Sequence, residues 1–167
     1  MTYHFTSAII AALGLALAGC VGSQTLETPA VPREAIQHQQ SASSAKRQAG
    51  DLINAHRVDA GLRPLSHTPA LTVVAQQFAQ DITQQQGLSH VGTDGSEPEG
   101  RLRAQGLRSC LTAENIAKGQ HTAKSVVSSW MNSPGHRANI LNRRVTQFGL
   151  GYDPAGRSWV LVLSKPC

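Results

Sequence analysis

The 167-residue chain is poor in aromatic residues, with three Phe, two Trp and two Tyr. Its 15 Lys and Arg residues outnumber its 10 Asp and Glu residues and give a net charge of +5. The basic residues are spread along the chain and form no stripe. Domains that bind nucleic acid typically combine a basic stripe with aromatic side chains that stack on bases. The composition therefore excludes nucleic acid from the expected partners.

The chain also lacks an apolar run near its start that could span a bilayer. Residues 9–18 are apolar, about half of the roughly 20 residues that a transmembrane helix needs. This length and the small residues that follow are typical of a signal peptide. The sequence Leu-Ala-Gly-Cys that ends at Cys20 resembles the lipobox of bacterial lipoproteins. That resemblance implies cleavage before Cys20 and acylation of its thiol, although no Lys or Arg precedes the apolar run. We expect residues 1–19 to be a lipoprotein signal peptide; the alternative is an ordinary signal peptide with a chance cysteine.

Residues 20–44 are rich in Gln, Ser, Pro and Thr and show no apolar periodicity. This composition predicts a lipid-anchored flexible tether, followed by one domain over residues 45–167. The residues after Cys20 lack the Asp that retains many bacterial lipoproteins in the inner membrane. By that resemblance we expect the protein at the periplasmic face of the cell envelope, with the outer membrane favoured.

Cysteine is scarce, with three residues in the chain. If Cys20 is acylated, Cys110 and Cys167 remain. Two cysteines in an exported domain predict one disulfide, which would tie the C-terminal residue to the segment just before Glu114. The alternative is that Cys110 is a reactive thiol.

Apolar periodicity predicts two long helices in the first half of the domain. One covers residues 45–60, with Gly61 able to end it. The other begins after Thr68 with proline at its first position, and we expect Gly87 to end it as a left-handed cap. Its apolar positions recur at helical spacing and predict a face packed on the core: Leu71, Val74, Ala75, Phe78, Ala79 and Ile82.

Three shorter helices and a hairpin are predicted to follow. A capping box at Ser96 predicts a helix to about residue 105. Thr122 or Ser125 could cap the next helix, which would bury Trp130. Ser133 followed by proline predicts a fifth, short helix. Residues 146–152 and 158–163 are β-rich and are joined by a turn sequence, so they predict a hairpin. Helices followed by strands indicate an α+β fold.

Five motifs in this order resemble the bacterial branch of the CAP superfamily, which includes cysteine-rich secretory proteins, antigen 5 and plant pathogenesis-related proteins. The motifs are Asn54-x-x-Arg57 with Pro64-Leu65, Ser89-His90, Glu114-Asn115-Ile116-Ala117, Trp130-Met131-x-Ser133-Pro134-Gly135-His136-Arg137, and Gly149-Leu150-Gly151. The resemblance implies an α-β-α sandwich with a central cleft lined by two His and two Glu residues. By motif, these positions fall on His90, Glu114 and His136, with Ser133 where the second Glu would stand.

Two imidazoles and one carboxylate could form an open zinc site, so His90, Glu114 and His136 are candidate ligands of Zn²⁺ or a similar cation. No HExxH motif supports a metal, however. Each histidine could instead be structural. The helix dipole at His136 opposes protonation of its ring. A Ser133–His136 hydrolase pair is disfavoured because no Gly-x-Ser-x-Gly elbow is present.

Two classes of function remain open. In the first, the cleft binds a lipid, sterol or other cell-envelope ligand, with or without a cation, and breaks no bond. In the second, the protein is a metal-assisted or acid–base hydrolase of a peptide or a cell-wall polymer. Ser133 in place of the second carboxylate favours binding. We expect a monomer.

Overall fold

The computed structural model describes residues 32–167, so the predicted signal peptide and Cys20 lie outside the described residues. Helix α1 spans Arg33–Asp59. It begins well before the predicted residue 45, and residues 33–44 are therefore helical rather than an irregular tether. No Gly or Pro interrupts this stretch, and Ala42 and Ala45 pack against the core, which gives the helix an apolar side where the sequence showed no clear period.

The remaining elements of the described chain are four further helices and four strands. Five helices and the C-terminal hairpin were predicted and are present among residues 32–167; the strands β1 and β2 were not predicted. The bounds are β1 (Ser66–His67), α2 (Pro69–Gln84), α3 (Pro98–Ala104), β2 (Ser109–Lys118), α4 (Ala123–Asn132), α5 (Pro134–Ile140), β3 (Gln147–Asp153) and β4 (Ser158–Pro166). None of the helices in the described part of the chain is long and apolar enough to cross a membrane.

The four strands form one sheet in the order β1-β3-β4-β2. β4 pairs antiparallel with both β2 and β3, whereas β1 pairs parallel with β3. An apolar cluster around Trp130 and Trp159 packs beneath α1, α4 and α5, and a second cluster around Phe78 and Ile82 packs beneath α2 and α3. The result is the predicted α-β-α sandwich, because each sheet face is covered by helices.

The strand β2 carries Glu114, in a stretch where no strand was predicted. Nine of its residues are in register with β4, from Ser109 opposite Pro166 to Lys118 opposite Ser158. Ala, Asn, Glu and Lys are weak strand formers, and pairing with a central strand overrides that weak preference.

The observed helix ends confirm one of the predicted caps and contradict two others. The Thr122 side chain accepts a hydrogen bond from the Ser125 backbone N–H in a capping box, so this cap is confirmed. The capping box at Ser96 is wrong, because α3 begins after Glu97 with no side-chain cap bond. The left-handed cap at Gly87 is also wrong, since α2 ends at residue 84 and Gly87 does not have a positive φ.

Helix α2 lies directly on β3 because that strand carries glycine at two positions facing the helix. A Cβ atom at Gly149 would collide with the backbone of Leu71, and one at Gly151 would collide with the backbone of Ala75. The Gly-x-Gly motif is therefore a requirement of close helix–strand packing.

The predicted disulfide is present between Cys110 and Cys167, with their Cα atoms 4.9 Å apart. It joins the start of β2 to the end of β4, where Ser109 is in register with Pro166. The prediction that these two cysteines are bonded to each other is confirmed.

Candidate functional site

The site is centred on the buried carboxylate of Glu114, whose side chain is 2% exposed. Its Oε1 lies 2.8 Å from Nδ1 of His90, and its Oε2 accepts a hydrogen bond from Nη2 of Arg101 at 2.7 Å. A carboxylate paired with arginine is ionised and can only accept hydrogen bonds, so Nδ1 of His90 carries the proton. Both oxygens of Glu114 are therefore engaged in charge-assisted or ionic contacts.

Arg101, on α3, is the residue that the sequence analysis missed. Its Nη1 donates to the backbone oxygen of Ser96 at 2.7 Å and to that of His90 at 3.2 Å. Its guanidinium also lies 3.5 Å above the centre of the Phe78 ring, a favourable cation–π geometry. Arg101 thus fixes both the loop that carries His90 and the carboxylate that contacts it. The sequence offered one indirect signal for such a residue, because a buried carboxylate such as Glu114 requires a basic partner.

The loop that carries His90 is also fastened to α2 through Asp81. This carboxylate accepts hydrogen bonds from the Thr93 backbone N–H at 3.0 Å, from the Thr93 hydroxyl, and from the side-chain amide of Gln85. Burial alone would raise the pKa of Asp81, but the bonds from Thr93 and Gln85 outweigh it, so this pKa lies below its usual value. His90 is consequently presented from an ordered loop.

His136 lies in the first turn of α5 and is attached to β2 through asparagines. Nδ2 of the fully buried Asn115 donates to the His136 backbone oxygen at 3.0 Å, and Nδ2 of Asn139 donates to Oδ1 of Asn115 at 2.9 Å. Asn139 also donates to the backbone oxygen of Glu114 at 3.3 Å. Asn115 thus joins β2 to the helix that carries His136.

The two histidines are electrostatically coupled. Burial lowers the pKa of His136, and the positive charge that His90 can carry lowers it further. A neutral ring is therefore favoured at His136. The side chain of His90 is 49% exposed, so the pair is accessible from solvent.

Ser133, the fourth predicted residue, precedes α5 as its N-cap but makes no side-chain cap hydrogen bond. Its backbone oxygen accepts from the Arg137 N–H at 2.8 Å. Within residues 32–167 its hydroxyl has no hydrogen bond to His136, so the geometry gives no support to a Ser–His hydrolase pair. The predicted fifth helix therefore begins after Ser133 without a side-chain cap.

The metal hypothesis does not gain support from this geometry. Across the described chain, no group of three or more His, Cys, Asp and Glu side chains is arranged to hold a metal ion. The physical reason is clear at Glu114, because each of its oxygens is already bonded to a basic side chain. His90 and Glu114 thus form a hydrogen-bonded pair, and the charge of His90 acts on the His136 ring.

Solved structures share this fold. An extracellular protein containing a SCP domain from Bacillus anthracis superposes with a TM-score of 0.75 at 26% identity, covering 81% of this chain and 45% of that chain. An outer surface protein of Borrelia burgdorferi superposes with a TM-score of 0.68 at 22% identity, covering 74% and 94%. The second likeness supports the fold alone. Fold and motifs together define a bacterial SCP-type domain.

Sequence comparison gives the family. Residues 51–164 match the sequence model described as CAP, the cysteine-rich secretory protein family, and this chain belongs to that family. It is 37% identical over 119 residues to the uncharacterized protein YkwD of Bacillus subtilis (strain 168), covering 71% of this chain and 46% of YkwD. It is 31% identical over 111 residues to the membrane protein YlbC of the same organism, covering 66% and 32%. The chain thus spans less than half the length of either relative.

Proposed function

We propose that this protein is exported, anchored through an acylated Cys20 to the periplasmic face of the cell envelope, and binds an envelope ligand at His90, Glu114 and His136. One similarity supports the location, since the B. anthracis protein, which is 26% identical, is described as extracellular. The lipobox supports the anchor. The ligand class is a lipid or cell-wall molecule with a polar group at the site.

One observation carries the preference for binding over hydrolysis: both oxygens of Glu114 are occupied. A carboxylate that must coordinate a metal or activate water has to reach it, whereas the Glu114 side chain is 2% exposed and each of its oxygens already contacts a basic side chain. Turning Glu114 away from Arg101 would leave a buried carboxylate without its cation, which costs about 3–5 kcal/mol. Glu114 therefore acts best as the group that orients His90.

The two imidazoles then provide the polar contacts. Nδ1 of His90 is used by Glu114, so Nε2 is the nitrogen left for a ligand. His136, with its lowered pKa, is neutral near pH 7 and offers one donor and one acceptor. Together they suit a hydroxyl or phosphate group, which sugars of the cell wall and lipid headgroups both carry. Ser133 lies at the start of α5, close to His136 in the chain, and adds a hydroxyl.

A second function is favoured by the same dyad. A carboxylate bonded to Nδ1 fixes the tautomer of a histidine and makes Nε2 a competent general base. His90 could then activate water in hydrolysis of a peptide or wall polymer. The absence of a second carboxylate at Ser133 leaves His136 as the only other acid–base group in the proposed set, which makes this the weaker proposal.

Mass spectrometry of protein purified from the native envelope, without chelator, tests the proposal. The double variant His90→Ala, His136→Ala should lose a co-purifying envelope molecule that wild type retains. His38→Ala changes an exposed histidine on α1 and should retain it. If all three proteins carry the same molecule, or wild type carries none, binding at this site is wrong.

Incubation with purified cell wall distinguishes the hydrolase. Release of soluble fragments by wild type and by His38→Ala, but not by His90→Ala, would establish hydrolysis and replace the binding proposal. Metal analysis of the same samples asks whether a divalent cation such as zinc accompanies the ligand. A stoichiometric metal lost in the double variant would restore His90, Glu114 and His136 as ligands.

A further inference from the structure

A groove of about 550 Å³ lies between the segment that follows α1 and the segment that precedes β3. Its lining includes Arg57, Arg63 and Arg143, together with the hydroxyl-bearing residues Ser66 and Thr146, and contains no Asp or Glu. Three cationic side chains without an acid in one groove give it a strongly positive potential.

Arg57 is the unusual member, because it is only 2% exposed. Its Nε donates to the backbone oxygen of Arg63 at 3.0 Å, and its Nη1 donates to the backbone oxygens of Ile140 at 2.6 Å and Asn142 at 2.9 Å. These partners are neutral carbonyl groups. Within residues 32–167, Arg57 has no carboxylate partner and its Nη2 has no hydrogen bond.

A buried guanidinium without a counter-anion is costly, and burial lowers the pKa of Arg57 accordingly. The exposed Arg63 and Arg143 line the same groove, and no ion pair within the described chain neutralises either of them. The groove therefore combines the fixed guanidinium of Arg57 with two exposed cations. Three positive charges that converge on one groove favour an anionic ligand.

We propose that this groove binds a phosphate-type oxyanion. Nη2 of Arg57 supplies the fixed donor, Arg63 and Arg143 close on the anion from the surface, and the hydroxyls of Ser66 and Thr146 supply further donors. Guanidinium groups suit this role because they are planar, always charged, and bond oxyanions through more than one N–H.

The groove is a separate site from the His90–Glu114 pair. Ser66 belongs to β1 and Thr146 directly precedes β3, whereas Glu114 belongs to β2, and the strand order places β1 and β2 at opposite edges of the sheet. The inference does not depend on the proposed function. Phosphate chemistry of this kind is carried both by free phosphate and by the headgroups of anionic lipids, and the test distinguishes them.

The test is a titration of the purified Cys20→Ala chain, which carries no acyl group at that position, with inorganic phosphate at low ionic strength, where such contacts are least screened. Calorimetry gives the affinity, and the side-chain N–H resonance of Arg57 gives the position. The groove variant is the double substitution Arg63→Gln, Arg143→Gln. The control is the double substitution Arg108→Gln, Arg33→Gln, which removes the same charge at two arginines outside the groove. Arg57 itself is left intact because its three carbonyl contacts make it important for folding.

We expect saturable phosphate binding that shifts the Arg57 resonance. It should weaken about tenfold or more in the groove variant, because two charged partners of the anion are lost, and remain near the wild-type value in the control. Equal affinity in both variants, or no saturable binding by wild type, would overturn the proposal. A soluble short-chain phosphatidylglycerol that binds more tightly than phosphate, with the same dependence on Arg63 and Arg143, identifies the source as a lipid headgroup. Tighter binding of phosphate identifies the free anion.

Discussion

Asn115 and His136 are joined across the gap between β2 and α5 by a hydrogen bond of 3.0 Å from the Asn115 side-chain amide to the His136 backbone oxygen. Asn115 immediately follows Glu114 in the strand. Because successive residues of a strand point to opposite faces, one short stretch of β2 directs Glu114 towards His90 and Asn115 towards α5. The strand therefore sets the relative position of the two histidines.

The first prediction concerns this link. Asn115→Ala should lower the free energy of unfolding by about 1–3 kcal/mol, because it leaves buried polar groups without partners. Loosening of α5 should also expose the His136 ring and raise its pKa towards 6.5. Urea unfolding and an NMR pH titration measure the two effects. Asn132→Ala, at an exposed position, is the control, and an unchanged His136 titration in Asn115→Ala would contradict the positioning role.

The lowered pKa of His136 predicts a pH dependence of stability. The folded state binds fewer protons at this residue than the unfolded state, so stability falls as the pH drops below about 6.5 and through the lower pKa of the folded protein. In His136→Gln this part of the dependence should disappear, whereas in His38→Gln it should persist. Urea midpoints between pH 5 and pH 7.5 are the measurement. Parallel curves for wild type and His136→Gln would show that the slope arises elsewhere.

Two arginines of α3 allow a matched comparison. Arg101→Gln should destabilise the fold by about 3–5 kcal/mol, because it leaves the buried Glu114 without its cation. Arg103→Gln removes an ion pair with Glu99 whose side chains are 67% and 62% exposed, and should change stability by less than about 1 kcal/mol. Hydrogen exchange should accelerate in the loop around His90 in the first variant alone. Similar losses in both variants would mean that the Glu114 contact contributes little.

The disulfide gives a fourth prediction. Cys110 and Cys167 are 57 positions apart in the sequence, and closing a loop of this size stabilises the fold by roughly 4 kcal/mol in the entropic account. Reduction, Cys110→Ser and Cys167→Ser should each lower the unfolding free energy by a similar amount. Thiol labelling of denatured, unreduced protein should find neither cysteine free. Labelling of both would contradict the bond.

The fifth prediction concerns the anchor. Cys20→Ala should move the protein from the membrane fraction to the soluble fraction, because acylation supplies the proposed attachment. The mature wild-type chain should begin at Cys20 and carry the mass of its acyl groups. A soluble wild-type protein with another N-terminus would rule out lipidation.

Local pattern was sufficient to predict the fold where one face of an element is plainly apolar. All six apolar positions that were predicted for α2 are buried. The predicted bounds of the hairpin lie within a few residues of the observed bounds of β3 and β4. β2 escaped prediction because Ala113, Asn115 and Lys118 do not look like a strand, and only their pairing with β4 makes them one. The early start of α1 was not predicted for a related reason, since its first turns are polar and largely exposed.

The candidate site was predictable only in part. His90, Glu114 and His136 stood out through family motifs, and the structure brings His90 and Glu114 into contact. Arg101 was not predicted, because nothing in its neighbourhood in the sequence connects it with a carboxylate 13 positions further along the chain. The second basic partner of Glu114 follows from that one long-range contact.

The position of β4 has a consequence for how the chain acquires its structure. Both β2 and β3 pair with β4, yet β4 follows them in the sequence. While the chain emerges from a ribosome, β3 can pair with β1, but β2 has no strand to pair with until residues 158–166 are released. The helices can form one by one, but the two pairings of β4 and the disulfide to Cys167 must wait for this segment. The strand that carries Glu114 is therefore fixed in the sheet only in a late step.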